Sequence, residues 1–360
     1  MKVLQLINSL GAGGAEKLLV DAAITYSKLG VDVDILLLKD GDSPFISKLN
    51  DYPGVNVFSL SSTASVYNPF HIFKLRKYFS KYDIVHVHLF PCLYWAGIAS
   101  MIGKKPRLIY TEHNTTNRRR DSKLFKFLDK IIYKKYDEIV SISDSVDENL
   151  KKHLGSSFNN ITKIYNGIDL QEITEAKPYQ KKELGLQDDN VALMQVSSFT
   201  AQKNQNFLIR SLKELPDHYV LLLVGEGVLR KESEELAKNI GVENRVHFMG
   251  VRKDVPRLLK SIDIVILSSH FEGLSLSSVE GLASGQPFMA SDVPGLTEVV
   301  KGAGILFEDD NENSLIPEIK KLAEDAEYRN VVASKCQERS KTYDILTMCR
   351  QYQLLYQKNN

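Results

Sequence analysis

Three cysteines in 360 residues, Cys92, Cys336 and Cys349, are too few and too scattered for a disulfide framework or a cysteine metal cluster. That scarcity fits a reducing compartment. Long apolar runs are also missing: none approaches the roughly 18 residues that suggest a membrane span. Gln5, Asn8 and the glycines from Gly11 onward interrupt the N-terminal apolar stretch before a signal-peptide core can form. A cytoplasmic protein is expected. Charge of one sign is absent overall, the net being +1, so nothing marks the chain as a nucleic-acid binder. There is no internal repeat and no low-complexity tract. What remains is an ordinary globular composition, 43% hydrophobic and 25% charged, with length for about two domains.

The near-zero charge conceals an asymmetry. Residues 1–165 carry 23 Lys/Arg against 16 Asp/Glu, net +7, and residues 166–360 carry 23 against 29, net −6. Within 104–135, eleven basic residues face three acidic ones. Such a patch suits an anionic partner, whereas any single lysine in it reads as a solvated helix face. Lys123, Lys126, Lys130 and Lys134 recur at helical steps and form one stripe if the segment is helical. Phe125, Phe127, Leu128 and Ile131 lie among them and would pack on a core or enter an interface.

Strand-like and helix-like segments alternate throughout. Apolar runs at 3–8, 33–38, 84–89, 108–111 and 138–141 form one series. Those at 192–196, 220–224, 246–248, 264–267 and 288–290 form a second. The alternation predicts two doubly wound α/β domains, and the Asn166-Gly167 turn signal lies between them. The expected division is 1–168, 169–342 and an amphipathic final segment, 343–360.

The most informative stretch runs from His270 to Glu280. Glu272 and Glu280 stand eight residues apart across a glycine, several serines and a helix start, directly after the apolar strand 264–267. In an open α/β sheet, ligands bind outside the carboxyl ends of strands, and a helix N-terminus there suits phosphate. A carboxylate can accept hydrogen bonds from a pair of hydroxyls, so the arrangement fits a sugar nucleotide. Ser277-x-x-Glu280 also matches a capping box, in which Glu280 would serve the helix start.

Glu272-x7-Glu280, followed by Gly281-Leu282-Ala283-Ser284-Gly285-Gln286-Pro287, resembles the signature of retaining glycosyltransferases of family 4. The resemblance implies a GT-B fold: two Rossmann-like domains facing across a cleft, with a C-terminal helix crossing back to the first. Residue by residue, it implies that Glu272, Gly273, Leu274, Ser275, Val279 and Glu280 bind the donor. Gly13 and Gly14 match the family's first glycine loop. Gly250, Val251 and Arg252 would border the nucleobase, and Lys203 would face the pyrophosphate. The family's Gly-Arg pair is replaced by Ser197-Ser198, which offers only neutral hydrogen bonds. His113, at the end of a strand, matches the histidine beside the reacting sugar, where it would contact a hydroxyl or a phosphate. His113, Glu272 and Lys203 are the candidate catalytic residues.

Three other patterns carry less. Gly11-Ala12-Gly13-Gly14-Ala15-Glu16 lacks the last glycine of a dinucleotide fingerprint, and the acidic partner is ambiguous between Asp32 and Asp34. Asp32-Val33-Asp34 spells a metal-binding D-x-D but opens a strand, where it reads as structural. His86-x-His88 lacks a third ligand and reads as cleft lining. The expectation is therefore a metal-free, retaining transferase that uses a UDP-sugar, with a glycan or lipid-linked acceptor. It would be cytoplasmic or peripheral at an anionic membrane surface. An inverting or epimerase-like relative, or a non-catalytic sugar-nucleotide-binding protein, is the alternative.

Overall fold

The computed structural model describes residues 1–11, 13–41, 45–50, 52, 54–103, 105–114, 122–273 and 275–358. The chain divides into two compact units. The first comprises Met1–Gly167 with Ile345–Asn360, and the second Ile168–Asp344.

The first unit holds seven parallel strands: β1 (Lys2–Ile7), β2 (Asp32–Leu37), β3 (Val55–Ser59), β4 (Ile84–His88), β5 (Arg107–Glu112), β6 (Glu138–Ser141) and β7 (Ile161–Lys163). Their order is β3-β2-β1-β4-β5-β6-β7. The second unit holds six: β8 (Val191–Val196), β9 (Tyr219–Val224), β10 (Val246–Gly250), β11 (Ile264–Leu267), β12 (Phe288–Ser291) and β13 (Ile305–Phe307). These run β10-β9-β8-β11-β12-β13, again parallel throughout. Strands covered by helices on both faces need near-continuous apolar sequence, and β4, β9 and β11 are buried along their whole length. β3, β7 and β13, absent from the sequence expectation, are sheet edges. They are short and only partly buried, so the apolar signal that marks the central strands fades in them.

Strand order reverses between β1 and β4 in the first unit and between β8 and β11 in the second. The carboxyl ends at such a reversal splay apart and open a crevice. Each unit therefore has one place built for a ligand.

The final helix, Ile345–Gln357, belongs with the first unit. Ile345, Met348, Cys349, Tyr352, Leu355 and Tyr356 are its buried face, the three- and four-residue spacing of one helical stripe. Tyr356 packs on Tyr26 of the helix Gly14–Lys28, with ring centroids 5.9 Å apart. The helix Lys123–Tyr133 buries Asp129, Ile132 and Tyr133. Phe125 and Leu128 are half-buried. Phe127 and Ile131 do not pack on the core, being 63% and 39% exposed.

Candidate functional site

In the second unit, the crevice is stitched together by one buried amide. Gln195, on β8, donates from Nε2 to the Lys203 carbonyl (2.8 Å) and the Ser197 hydroxyl (2.9 Å), and its Oε1 accepts from the Ser268 hydroxyl (2.9 Å) beyond β11. The Ser268 hydroxyl also lies 3.0 Å from the Asn204 carbonyl. These bonds lock the loop after β8 to the loop after β11. Lys203 is thereby presented to Glu272, with which it forms an ion pair. Both side chains are largely withdrawn from solvent, 15% and 6% exposed, so removing either one leaves an uncompensated charge in a poorly solvated place. Gln202 donates to the Phe271 carbonyl at 2.8 Å and fixes the approach to Glu272.

The Glu272 loop also rests on a glycine that the sequence reading missed. Gly295 has φ +87°, and a Cβ there would lie 2.1 Å from the Glu272 carbonyl oxygen. Only glycine fits both the backbone and the space. Gly281 is similarly constrained: a Cβ would meet the Phe288 ring at 2.5 Å, so the helix Leu276–Ala283 lies close on β12.

That helix has Ser275 at its N-cap, and Ser277 lies inside it. The capping-box reading of Ser277-x-x-Glu280 therefore does not hold. Val279 and Glu280 are buried on the helix, and Gly273 lies in the loop before it. Leu274 lies outside the described residues.

Ser197 and Ser198 differ in use. The Ser197 hydroxyl accepts from the Gln195 and Gln205 amides, both at 2.9 Å. Ser198 is exposed. Gly225 approaches this turn so closely that a Cβ would sit 2.1 Å from the Ser197 carbonyl oxygen. Its N–H reaches the Gly250 carbonyl at 2.8 Å, so the ends of β8, β9 and β10 form one continuous rim. Val251 is 74% exposed on that rim. The Arg252 guanidinium is held by both oxygens of Asp254, at 2.6 and 2.8 Å. That pairing holds the Asp254 carboxyl well below the usual carboxylate range. Arg252 therefore offers its backbone to the rim, while its charge is already engaged.

In the first unit, Gly13 caps the helix that opens at Gly14. Gln5, His86, His88, Thr111 and His113 occupy one face of β1, β4 and β5 and its extension, by the two-residue alternation of strands. His88 Nδ1 lies 3.0 Å from His113 Nε2, and His88 Nε2 lies 2.8 Å from Gln5 Oε1. His86 bridges the Tyr356 and Thr111 hydroxyls, each at 2.7 Å. Burial disfavours the imidazolium form, pushing His86 down to about 3 and His113 down to about 4, and it holds His88 well below its usual range. A cavity of about 20 Å³ lies among Gln5, Leu18, Tyr26, His86, His113 and Tyr352, room for about one water. His86 is therefore a buried strut and not cleft lining. Asp34 of the D-x-D sequence is buried against Tyr82 (2.6 Å), Asn56 (2.8 Å) and Lys2 (3.3 Å), a structural role. Among the described residues, no group of three or more His, Cys, Asp or Glu side chains is placed to hold a metal ion.

Residues 12–172 match the family model Glycosyltransferase Family 4, and residues 176–339 match Glycosyl transferases group 1. The chain belongs to glycosyltransferase family 4. This glycosyltransferase, an enzyme of the hexosyltransferase class, is 28% identical to the N-acetylgalactosamine-N,N'-diacetylbacillosaminyl-diphospho-undecaprenol 4-alpha-N-acetylgalactosaminyltransferase of Campylobacter jejuni, over 96% of each chain. It is 26% identical to the UDP-Gal:alpha-D-GlcNAc-diphosphoundecaprenol alpha-1,3-galactosyltransferase of Escherichia coli, over 74% of this chain and 72% of that one. Among solved structures, Anabaena Alr3699/HepE in complex with UDP superposes with a TM-score of 0.86 over 99% of both chains, at 24% identity. The lipopolysaccharide glycosyltransferase WaaG superposes at 0.75, with 17% identity, over 99% of this chain and 100% of that one. The glycosyltransferase thus has the two-domain GT-B fold.

Proposed function

We propose that the enzyme transfers a sugar from a UDP-sugar to a glycan carried on a lipid diphosphate, with retention at the anomeric carbon and without a metal. The observation that carries this reading is the Lys203–Glu272 pair, set at the β8/β11 reversal just before the helix Leu276–Ala283. Support comes from the relatives: by name, the Campylobacter and Escherichia enzymes act on undecaprenyl-diphosphate-linked sugars, and the Anabaena protein was solved with UDP and with UDP-glucose.

In this reading, the C1–O bond to the diphosphate breaks and its electron pair passes to the phosphate oxygen. Lys203, the exposed Ser198 hydroxyl, the Gly273 and Ser275 amides and the positive end of the helix offset the charge that accumulates. Glu272 holds hydroxyls of the donor sugar and keeps Lys203 in place. Glu280 binds the ribose diol, and the rim from Gly250 to Arg252 borders the base. Gly13 and Gly14 serve the donor from the first unit. The acceptor oxygen bonds to C1, and its proton passes to the departing phosphate oxygen. The test is proton NMR of the product formed from a UDP-α-sugar in excess EDTA. An α-linked product supports the reading. A β-linked product, or activity restored only by Mn²⁺, overturns it, and complete absence of turnover with any acceptor favours a binding protein.

An acceptor held on lipid needs a protein surface that meets the bilayer. Lys123, Lys126, Lys130 and Lys134 are all exposed, as are Leu124 (64%) and Phe127 (63%) beside them. This pairing of cations with uncovered apolar side chains is the composition of an interfacial helix, and among the described residues no helix is long and apolar enough to cross the membrane. Docking of this face on an anionic bilayer completes the proposal.

A further inference from the structure

The histidines of the first unit are joined by hydrogen bonds whose direction can be followed atom by atom. The Tyr356 hydroxyl accepts from Gln5 Nε2 at 3.2 Å, and its ring packs on that of Tyr26. The same hydroxyl lies 2.7 Å from His86 Nδ1. His86 Nε2 in turn lies 2.7 Å from Thr111 Oγ1, and Thr111 lies 2.9 Å from the Tyr352 hydroxyl.

The same amide fixes the second branch. Because Gln5 turns its NH₂ toward Tyr356, its oxygen faces His88 and accepts from His88 Nε2–H at 2.8 Å. A neutral imidazole has one N–H, so His88 Nδ1 is left with a lone pair. That lone pair faces His113 Nε2 at 3.0 Å, and His113 must supply the proton. His113 Nδ1 is then unprotonated. Burial keeps both rings neutral, so there is no second proton to reverse the arrangement.

We infer that Gln5, His88 and Tyr356 are positioning residues that hold His113 as the Nε2–H tautomer, so that its Nδ1 accepts a hydrogen bond from a hydroxyl of the bound sugar. A diphosphate oxygen at neutral pH has no proton to give, and an imidazole lone pair repels it. The choice between hydroxyl and phosphate, open in the sequence, is decided by an amide on a neighbouring strand and a tyrosine on the last helix. The inference rests on the proposed glycosyl transfer for the identity of the ligand, but not for the tautomer.

The test is long-range ¹H–¹⁵N NMR of the full-length protein labelled at histidine, at neutral pH and without substrate. His113 is assigned by its loss in His113→Asn. The expected spectrum shows His113 protonated at Nε2 and bare at Nδ1. A proton on Nδ1 overturns the inference. In Tyr356→Phe, the partner that orients the Gln5 amide is gone, so His113 should populate both tautomers. There kcat should fall about tenfold, the scale of one misdirected hydrogen bond, with UDP affinity unchanged. A variant that keeps the wild-type tautomer and kcat contradicts the positioning role. Should Tyr356→Phe fail to fold, the wild-type spectrum alone decides. A correct tautomer with no turnover would count against the transfer reading and leave this inference standing.

Discussion

The two units use the same device for opposite chemistry. In each, the first strand carries a buried glutamine at the point where strand order reverses: Gln5 on β1, 3% exposed, and Gln195 on β8, 1% exposed. In each, the amide reaches across the reversal, to His88 beyond β1 and to Ser268 beyond β8. What it braces differs. Gln195 positions the carbonyl of Lys203, whose ammonium pairs with Glu272, a charged array suited to a diphosphate. Gln5 orders imidazoles that burial keeps neutral, an array suited to hydroxyls. In the proposed mechanism, the same backbone crevice serves charge or neutral oxygen according to what stands at the strand ends.

The largest effect that can break this comparison lies in the charged array. Glu272→Ala and Lys203→Ala should each lower kcat by about 10²-fold or more, the scale of losing a transition-state charge contact. Ser198→Ala should cost far less, because it removes one neutral hydrogen bond, and Ser198→Arg should tighten the donor. Near-wild-type turnover of both Lys203→Ala and Ser198→Ala would place the diphosphate elsewhere. Next comes Glu280→Ala, expected to weaken free UDP by about tenfold through loss of ribose contacts. If UDP affinity holds and only the melting temperature drops, Glu280 serves the helix alone.

A smaller effect sharpens the neutral side. The folded-state pKa values of His86 and His113, about 3 and about 4, lie below the unfolded value near 6.5. Stability from keeping these rings neutral is complete above that unfolded value and drains away as pH falls toward the folded ones. The first unit should therefore melt earlier at about pH 4.5 than at pH 7.5, as read by histidine and tyrosine NMR signals on heating. Equal melting at both would mean that the rings are solvated. The smallest effect concerns the surface helix. Charge reversal at Lys123, Lys126, Lys130 and Lys134 should weaken binding to anionic vesicles without loss of fold, at roughly 1 kcal/mol per basic residue. Added salt should weaken wild-type binding too, because attraction is screened over about 10 Å at 0.1 M. A protein that ignores anionic vesicles even at low salt has a soluble acceptor.

The central strands were legible because a parallel strand buried on both faces writes an uninterrupted apolar run; β11, at 264–267, has the bounds expected of it. Edges such as β7 bury too little to leave that mark. At the candidate site, Glu272, Lys203 and His113 were named through the family resemblance; the structure joins the first two and ties the third to His88. Gly295 was not legible, because its constraint comes from the Glu272 carbonyl, distant in sequence. Gln5 and Gln195 did leave a signal, a lone amide inside an apolar strand, which costs free energy unless its hydrogen bonds are met. Read that way, each would have pointed to a polar partner across the sheet. Leu274 of the candidate site, and Lys104, Arg118, Arg119 and Arg120 among the eleven basic residues of 104–135, lie outside the described residues.

The division between a charged and a neutral array is tested most directly by calorimetric titration of UDP into the wild type, Lys203→Ala and His113→Asn. The account predicts at least about a tenfold loss of UDP affinity in Lys203→Ala, with His113→Asn binding UDP like the wild type while turning over the UDP-sugar more slowly. Loss of UDP binding in His113→Asn, with Lys203→Ala unaffected, would contradict it.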